Sequence, residues 1–556
     1  MTKIYVLGID QMILPLTEKL VEEGSLPSIA RLFTEGSANQ AICSYPAWTP
    51  TNWATLSTGA DTGTHGVFGW FVDMPAGDPI TSFDSHAVTA ETIWEAAERA
   101  GKGSAIFHYP ASMPSNLSQS YVVDGFAAPQ HGSTPYEVAP SRGYTTLPDL
   151  ANADLIEFGP ARSWSNLPRS NRVPLEASIW IAVKGETELT RLGACDVEPE
   201  EQMVADLAET PGDEGWTLYL LAYASGEEGY DRLLICSERD ASTSIADLGV
   251  GEWSDWVKSS VLVANMHWPC TMRFKLIELD GTCSRLCLYR SQVMSVQGFT
   301  HPNELGQELI QRFGPYQEHV SEYSYLCGIT DYETCLEEAE YQLQWIVRAG
   351  RYLLRERGAD IFYSHWHFLD DINHHHLGLI DPDAPQYSAD RAAYHWDKVR
   401  RTYQIIDRAV GLLLEDLDED TYVFVLSDHG CVPVWYEIHL ERFLWERGFL
   451  SLKDPSCPLN AFDPRWLDSL DWDKTVAYVR EGAFFGPEIY VNAEGSEIER
   501  VQEQVIRALL SWRDEETGRS PIALALKKQD AYMLGYWGED LGDILVVTNG
   551  HYLMGR

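Results

Sequence analysis

The sequence is short of positive charge. It holds 41 lysine and arginine residues against 83 aspartate and glutamate residues, which gives a formal net charge of -42. A surface of this sign repels nucleic-acid backbones and anionic membranes, so we expect neither as a partner. A small phosphorylated substrate remains compatible with this charge, because bound cations reverse the field locally.

Long apolar runs and a secretion signal are also missing. No stretch reaches the roughly 18 apolar residues of a membrane-spanning helix, so none is expected. The chain opens with a buried-strand pattern instead of a basic region followed by an apolar one, so we expect no signal peptide. Its ten cysteines are scattered without zinc-knuckle spacing. These features predict a cytoplasmic protein with reduced thiols, and they leave the oligomeric state open.

Strand and helix patterns alternate at the start of the chain. An apolar run over residues 3–9 ends at Asp10, residues 13–23 and 27–35 show helical spacing, and another apolar run covers 104–108. This alternation predicts an α/β core with a mostly parallel sheet flanked by helices.

The pattern changes from about residue 155, where short extended segments alternate with turns and no long amphipathic helix occurs. Helical spacing returns near residue 335. We therefore predict a core in two parts, residues 1–154 and 336–556, around an inserted β-rich, cap-like domain over residues 155–335.

Carboxylates and histidines gather where strands are predicted to end. Asp10 follows the first strand, Asp428 and His429 follow a late one, and Asp371 and His375 follow a strand at 360–364. Ligands collect at the carboxyl ends of parallel strands, and aspartate with neutral histidine suits zinc, manganese or iron. The D-x-x-x-H spacing puts both side chains on one helical face. Alternatively, Asp10 caps a helix and the histidine triplet is an exposed polar loop.

Residues 45–70, YPAWTPTNWATLSTGADTGTHGVFGW, are typical of a loop that enters a helix. Thr49 or Thr51 would lie near the helix N-terminus, where free N–H groups favour a phosphate. Pro50 suits the first helical position, which would make Thr49 the N-cap. Ordinary N-capping is the competing interpretation.

Four segments, in this order, resemble the type I phosphodiesterase / nucleotide pyrophosphatase branch of the alkaline phosphatase superfamily, most of all its intracellular prokaryotic members. They are GIDQMILPLTEKLVEEGSLPSIARLFTEG, the segment 45–70, DDINHHHLG and LSDHG. The nucleophile segment aligns without a gap and puts the family threonine on Thr49. The D-x-x-x-H-x-x-G pattern falls on Asp371, His375 and Gly378. Trp70 stands where nucleotide-cleaving members have asparagine, so a nucleotide substrate is not implied.

The resemblance implies an alkaline-phosphatase-like core and two divalent metal ions, with zinc favoured and manganese as the alternative. One ion would be held by a set of four residues, Asp10, Thr49, Asp428 and His429. The other would be held by Asp371, His375 and a further histidine. The family takes that histidine from a Gly-x-His-Gly motif, which does not occur after residue 430. His551 or His374 could replace it.

The resemblance further implies hydrolysis of phosphate esters through a phospho-threonine intermediate at Thr49. Two alternatives stay open. One is a non-catalytic or weakly active binding module with an incomplete second metal site. The other is a phosphonate hydrolase or phosphotransferase that uses the same site.

Overall fold

The core of the protein is a single sheet covered by helices on both faces. The structure is a computed structural model, and it describes residues 2–72, 80–125, 137–148, 150–183, 215–263, 266–320, 322–415, 417–461, 465–480, 488–515, 517–538 and 541–554.

Six strands form the core sheet, and we label them β1 to β6 in chain order. They are β1 Lys3–Ile9, β2 Ser104–Phe107, β3 Tyr121–Val123, β4 Thr300–His301, β5 Ile361–Trp366 and β6 Thr421–Leu426. Their spatial order is β4-β3-β2-β5-β1-β6. All neighbours are parallel except β3 and β4, which confirms the predicted α/β core. Because β5, β1 and β6 are adjacent and parallel, the residues that follow them meet at one edge.

Six helices matter for the site or for the core that supports it. They are α1 Leu14–Glu22, α2 Pro27–Glu35, α3 Thr49–Thr58, α4 Tyr332–Arg355, α5 Phe368–Ile380 and α6 Ala389–Leu414. Alternate side chains of β1 point to opposite faces of the sheet. Tyr5, Leu7 and Ile9 join the large apolar core under α4 and α6, whereas Val6 packs in a second cluster with Trp53 of α3.

Gly8 lets α3 approach the sheet closely. A Cβ atom at this position would lie 2.4 Å from the carbonyl oxygen of Ser364 and 2.6 Å from the Trp53 ring. Neither neighbour can retreat easily, since one is backbone and the other is a fully buried indole. The absence of a side chain therefore allows Trp53 to rest directly on β1.

The β-rich part has its own apolar core, built from three sheets. Their strands are Glu137–Ala139, Arg142–Thr145, Ala153–Leu155, Gly159–Pro160, Leu175–Ala182, Gly215–Tyr223, Arg232–Cys236, Ser244–Leu248, Val257–Val263, Met266–Met272, Phe274–Leu279, Leu286–Arg290 and Val293–Ser295. The first two pair with the last two, so strand pairing joins residues 137–145 to residues 286–295 within this part. The bounds of 155–335 stay a prediction, as does the standing of this part as a separate cap-like domain.

The chain after β6 forms another small unit. Four antiparallel strands pack with two helices around a separate apolar core. The strands are Ala477–Tyr478, Glu488–Val491, Ile522–Lys527 and Ile544–Thr548, and the helices are Leu440–Glu446 and Ser496–Ser511. A parallel pairing of Tyr436–Ile438 with Tyr552–Met554 brings residues near 550 close to the segment after β6.

Shorter helices complete the framework: Thr62–His65, Ile93–Arg99, Leu305–Phe313, Glu322–Leu326, Trp466–Ser469 and Lys528–Ala531. Across the described ranges, no helix combines the length and the apolar character that crossing a bilayer requires.

Candidate metal centre

Asp10 lies at the centre of the site, directly after β1, and is fully buried. Its Oδ2 atom is 2.9 Å from His365 Nε2 and 3.1 Å from His367 Nδ1, and it accepts a hydrogen bond from Trp53 Nε1 at 3.2 Å. Its Oδ1 atom accepts no hydrogen bond from the described residues. Burial alone would raise the pKa of Asp10, but the hydrogen bonds from His365 and His367 outweigh it and hold that pKa well below its usual range.

Four residues form what we call the first group: Asp10, Thr49, Asp428 and His429. His429 Nε2 is 3.2 Å from Thr49 Oγ1, 3.3 Å from Asp428 Oδ2 and 3.6 Å from Asp10 Oδ1. Asp428 Oδ2, like Asp10 Oδ1, is buried without a hydrogen bond from the described residues. Burial and the negative charge of Asp10 raise the pKa of Asp428 well above its usual value.

The first group fits a divalent cation. Ligands 2.0–2.2 Å from a tetrahedral ion lie about 3.3–3.6 Å from each other, close to the separations within this group. Two buried carboxylate oxygens that accept no hydrogen bond are costly in a protein interior. A cation among them would satisfy both and would remove the repulsion between Asp10 and Asp428. The mixture of oxygen and imidazole donors suits zinc or manganese.

The start of α5 carries the second group: His367, Asp370, Asp371 and His374. His367 Nε2 is 3.4 Å from Asp371 Oδ1 and 3.6 Å from Asp370 Oδ2, and His374 Nε2 is 3.0 Å from Asp370 Oδ2. Gln11 Nε2 donates a hydrogen bond to Asp370 Oδ1, which ties α5 to the end of β1. Burial, with the nearby Glu322 carboxylate, raises the pKa of Asp371 to about 7.

Thr49 is the first residue of α3, and Trp48 is the N-cap. The prediction that Thr49 is the N-cap is therefore wrong by one residue. The reason lies in Asn52, whose backbone N–H and side-chain amide both donate to the carbonyl oxygen of Trp48 at 3.0 Å. Thr49 Oγ1 instead faces His429. Thr51 Oγ1 is buried and has no hydrogen-bond partner among the described residues.

Comparison with known proteins identifies the family to which the chain belongs. The sequence model of the family "Type I phosphodiesterase / nucleotide pyrophosphatase" matches residues 5–162 and 253–555. The chain belongs to this family. It is therefore a metal-dependent hydrolase that acts on phosphoester bonds. The described residues between the two ranges lie within the β-rich part.

Two solved structures are similar to this phosphodiesterase-family chain over its whole length. Both are of phosphonoacetate hydrolase from Sinorhizobium meliloti 1021, one in complex with phosphonoformate and one with phosphonoacetate. Each shows 12% sequence identity and a TM-score of 0.44, and the alignment covers 100% of this chain and 82% of the other. No curated protein sequence matches the chain significantly.

The residues expected from the family pattern fall in two places. Asp10, Thr49, Asp428 and His429 meet in the first group, and Asp371 lies in the second. His375 also lies on α5, but the described groups with metal-ligand spacing do not include it, so its role as a ligand stays a prediction.

The proposed substitutes for the family's last histidine lie apart. His374 lies in the second group. The ring of His551 instead stacks on Trp435 with 3.6 Å between centroids, and its Nδ1 is 2.7 Å from the carbonyl oxygen of Pro433.

Sequence reasoning missed His365, His367 and Asp370. His365 lies on β5 and His367 directly follows this strand, and neither belongs to the D-x-x-x-H pattern on which the predicted site rested. For Asp370 there was no separate signal, because it is adjacent to Asp371.

Other residues of this family's nucleophile segment have supporting roles. His65 is fully buried, its Nε2 lies 3.0 Å from Thr55 Oγ1, and its Nδ1 accepts a hydrogen bond from the backbone N–H of Val67 at 3.1 Å. Burial lowers the pKa of His65 to about 4, so this ring is neutral. Trp70 packs edge-on against Phe83 at 5.6 Å.

Proposed function

We propose that the chain hydrolyses small phosphate esters through a phospho-threonine intermediate at Thr49, with one divalent cation in each group. The observation that carries this proposal is the position of Thr49. This residue begins α3, and its Oγ1 lies 3.2 Å from His429 Nε2. A threonine that only stabilised its helix would not need to face a buried cluster of carboxylates and histidine.

The chemistry divides into two displacements at phosphorus. Thr49 Oγ1 forms a bond to phosphorus, the bond to the leaving alcohol breaks, and the alcohol departs with a proton. Water then attacks phosphorus, the bond to Oγ1 breaks, and the hydroxyl of Thr49 is restored. Bound divalent cations supply Lewis-acid stabilisation and lower the pKa of the hydroxyl nucleophile. Free N–H groups at the start of α3 favour a non-bridging phosphate oxygen.

Zinc is the first choice for both cations and manganese the second, because both groups combine carboxylate and imidazole donors. The first group would hold one cation. For the second, the family pattern favours Asp371 and His375. The structure also brings the neighbouring pair Asp370 and His374 together, with His374 Nε2 at a hydrogen-bond distance of 3.0 Å from Asp370 Oδ2.

The experiment compares Thr49→Val with Thr51→Val. Both replace a buried hydroxyl in α3 by a methyl group, but only Thr49 faces His429. We expect Thr49→Val to lower kcat for p-nitrophenyl phosphate or bis(p-nitrophenyl) phosphate by roughly 10³- to 10⁵-fold. Thr51→Val should stay within about twofold of the wild type, because its hydroxyl has no partner to lose.

The covalent step has its own test. When a phosphorylated enzyme partitions between water and an added alcohol, the ratio of the two products is the same for every leaving group. We expect one ratio across a series of aryl phosphates. A ratio that changes with the leaving group, or a Thr49→Val enzyme with near-normal turnover, would contradict the intermediate.

The alternatives give different outcomes in the same assays. A phosphonate hydrolase would release acetate from phosphonoacetate faster than it cleaves any ester. A phosphotransferase would transfer phosphate to the added alcohol, so the phosphorylated alcohol would form in excess over free phosphate. A binding module would hold cations yet turn over none of these compounds.

A further inference from the structure

His367 is the member of the second group that also contacts Asp10 of the first group. It follows β5, precedes α5 and is 9% exposed. One ring nitrogen, Nδ1, is 3.1 Å from Asp10 Oδ2. The other, Nε2, is 3.4 Å from Asp371 Oδ1 and 3.6 Å from Asp370 Oδ2. A single imidazole thus faces carboxylates on both sides.

The separations distinguish the two sides of the ring. An N–H···O hydrogen bond is about 2.7–3.2 Å long, and the contact from Nδ1 to Asp10 falls within this range. Two ligands of one tetrahedral zinc ion lie about 3.3–3.6 Å apart, and both contacts from Nε2 have this spacing. In the tautomer that carries its proton on Nδ1, the ring donates to Asp10 and its Nε2 lone pair faces Asp370 and Asp371. A lone pair facing two carboxylates is repulsive unless a cation lies between them.

We infer that His367 is a metal ligand through Nε2 in the second group, and that Asp10 orients its ring through Nδ1. The inference deepens the proposed function, on which it rests, by assigning the remaining imidazole of the second cation to a residue at the end of β5. The arrangement of carboxylate, histidine and metal is one that proteins use repeatedly to fix the tautomer and direction of a ligand.

Two other histidines fit a ligand role less well. His365 Nε2 is 2.9 Å from Asp10 Oδ2 and its Nδ1 is 3.0 Å from the carbonyl oxygen of His108, so both nitrogens have hydrogen-bond spacing. His551 contacts Pro433 and Trp435, and it is outside the described groups with ligand spacing.

With this assignment, Asp10 would contribute to the binding of both cations. Its Oδ1 faces the first group and its Oδ2 holds the ligand of the second. Loss of His367 should therefore remove one ion and leave the first group occupied.

The test measures zinc per chain by mass spectrometry after dialysis against a zinc buffer, for the full-length wild type, His367→Ala, His367→Gln and His551→Ala. We expect about two ions in the wild type and in His551→Ala, and about one in either His367 variant. Added imidazole should restore the second ion in His367→Ala, which a purely structural role would not produce. The glutamine variant keeps a donor for Asp10 if the alanine variant does not fold.

Two ions in a folded His367 variant, or the loss of one in His551→Ala, would overturn the inference. Its failure is distinguishable from failure of the proposed function. A wild type that binds two ions but cleaves no phosphate ester would refute the function, whereas the ion count of the His367 variants would still decide the ligand.

Discussion

The two groups of the metal centre are built in different ways. The first draws residues from the end of β1, the start of α3 and the end of β6, so it exists only when the whole core has formed. The second comes from one short segment, residues 367–374, at the start of α5. A site whose residues are far apart in the sequence can therefore be easier to recognise than a site built from one short segment.

Strand ends explain this difference. Asp10 and Asp428 each follow an apolar run, and parallel strands bring such positions together whatever lies between them. Within a helix, neighbouring positions are separated by only about 100°. Spacing therefore does not choose between Asp370 and Asp371, or between His374 and His375, and only the direction of α5 in the structure separates them.

The largest expected effect concerns these adjacent carboxylates. Asp370 contacts both Gln11 and His374, whereas Asp371 contacts His367 alone among the members of the group. We expect Asp370→Asn to weaken binding of the second ion by at least about a hundredfold, and Asp371→Asn by about tenfold. Zinc titration monitored by calorimetry measures both. A larger effect in Asp371→Asn than in Asp370→Asn would favour the ligands given by the family alignment, Asp371 and His375.

Much of the core was predictable from the sequence. The runs that became β1 and β6 are apolar and are followed by a polar residue, and the helical spacing over residues 27–35 coincides with the limits of α2. An element that buries one face shows a regular spacing of apolar residues, and this spacing is visible in the local sequence.

The borders of the β-rich part were not predictable. Its first strands, Glu137–Ala139 and Arg142–Thr145, are three and four residues long, too short to show a period. Both pair with strands about 150 residues later, and this pairing cannot be read from the local sequence. The same holds for His365 and His367, whose importance depends on where Asp10 lies.

A second prediction concerns how fast each group releases its ion. Side chains of the first group are buried, and those of Asp10 and Asp428 are completely so, whereas the side chain of His374 is 55% exposed. A chromogenic chelator should therefore extract zinc in two phases, with the second group emptied roughly tenfold faster or more. His374→Ala should speed the fast phase only. A single phase in the wild type would contradict the difference in access.

The last prediction concerns the nucleophile segment under the first group. The lowered pKa of His65, about 4, lies below the value near 6.5 expected for an unfolded chain. Between these values the unfolded state binds a proton that the folded state does not, so stability is full above pH 6.5 and falls as the pH decreases. The contribution of His65 should decline by about 3 kcal/mol down to pH 4.

Urea unfolding followed by the fluorescence of the core tryptophans, from pH 7 to pH 4, measures this dependence. His108 and His376 add slopes of the same sign, since burial lowers both pKa values to about 3. The difference between the wild type and His65→Gln isolates the contribution of His65. Parallel curves for the two proteins would show that His65 is not the neutral support described here.

The absence of a side chain at Gly8 affects the distance between Thr49 and Asp10. Trp53 rests on β1 there, and Trp53 belongs to the same helix that begins with Thr49, so the height of this indole above the strand fixes how far the threonine hydroxyl is from Asp10. An alanine at position 8 would press on the Ser364 carbonyl oxygen of β5 as well as on the Trp53 ring, so it would strain the sheet and push α3 away from β1 at the same time. The strand end that carries Asp10 and the helix that carries Thr49 would then both shift. The geometry of the nucleophile therefore depends on a carbon atom that this position lacks.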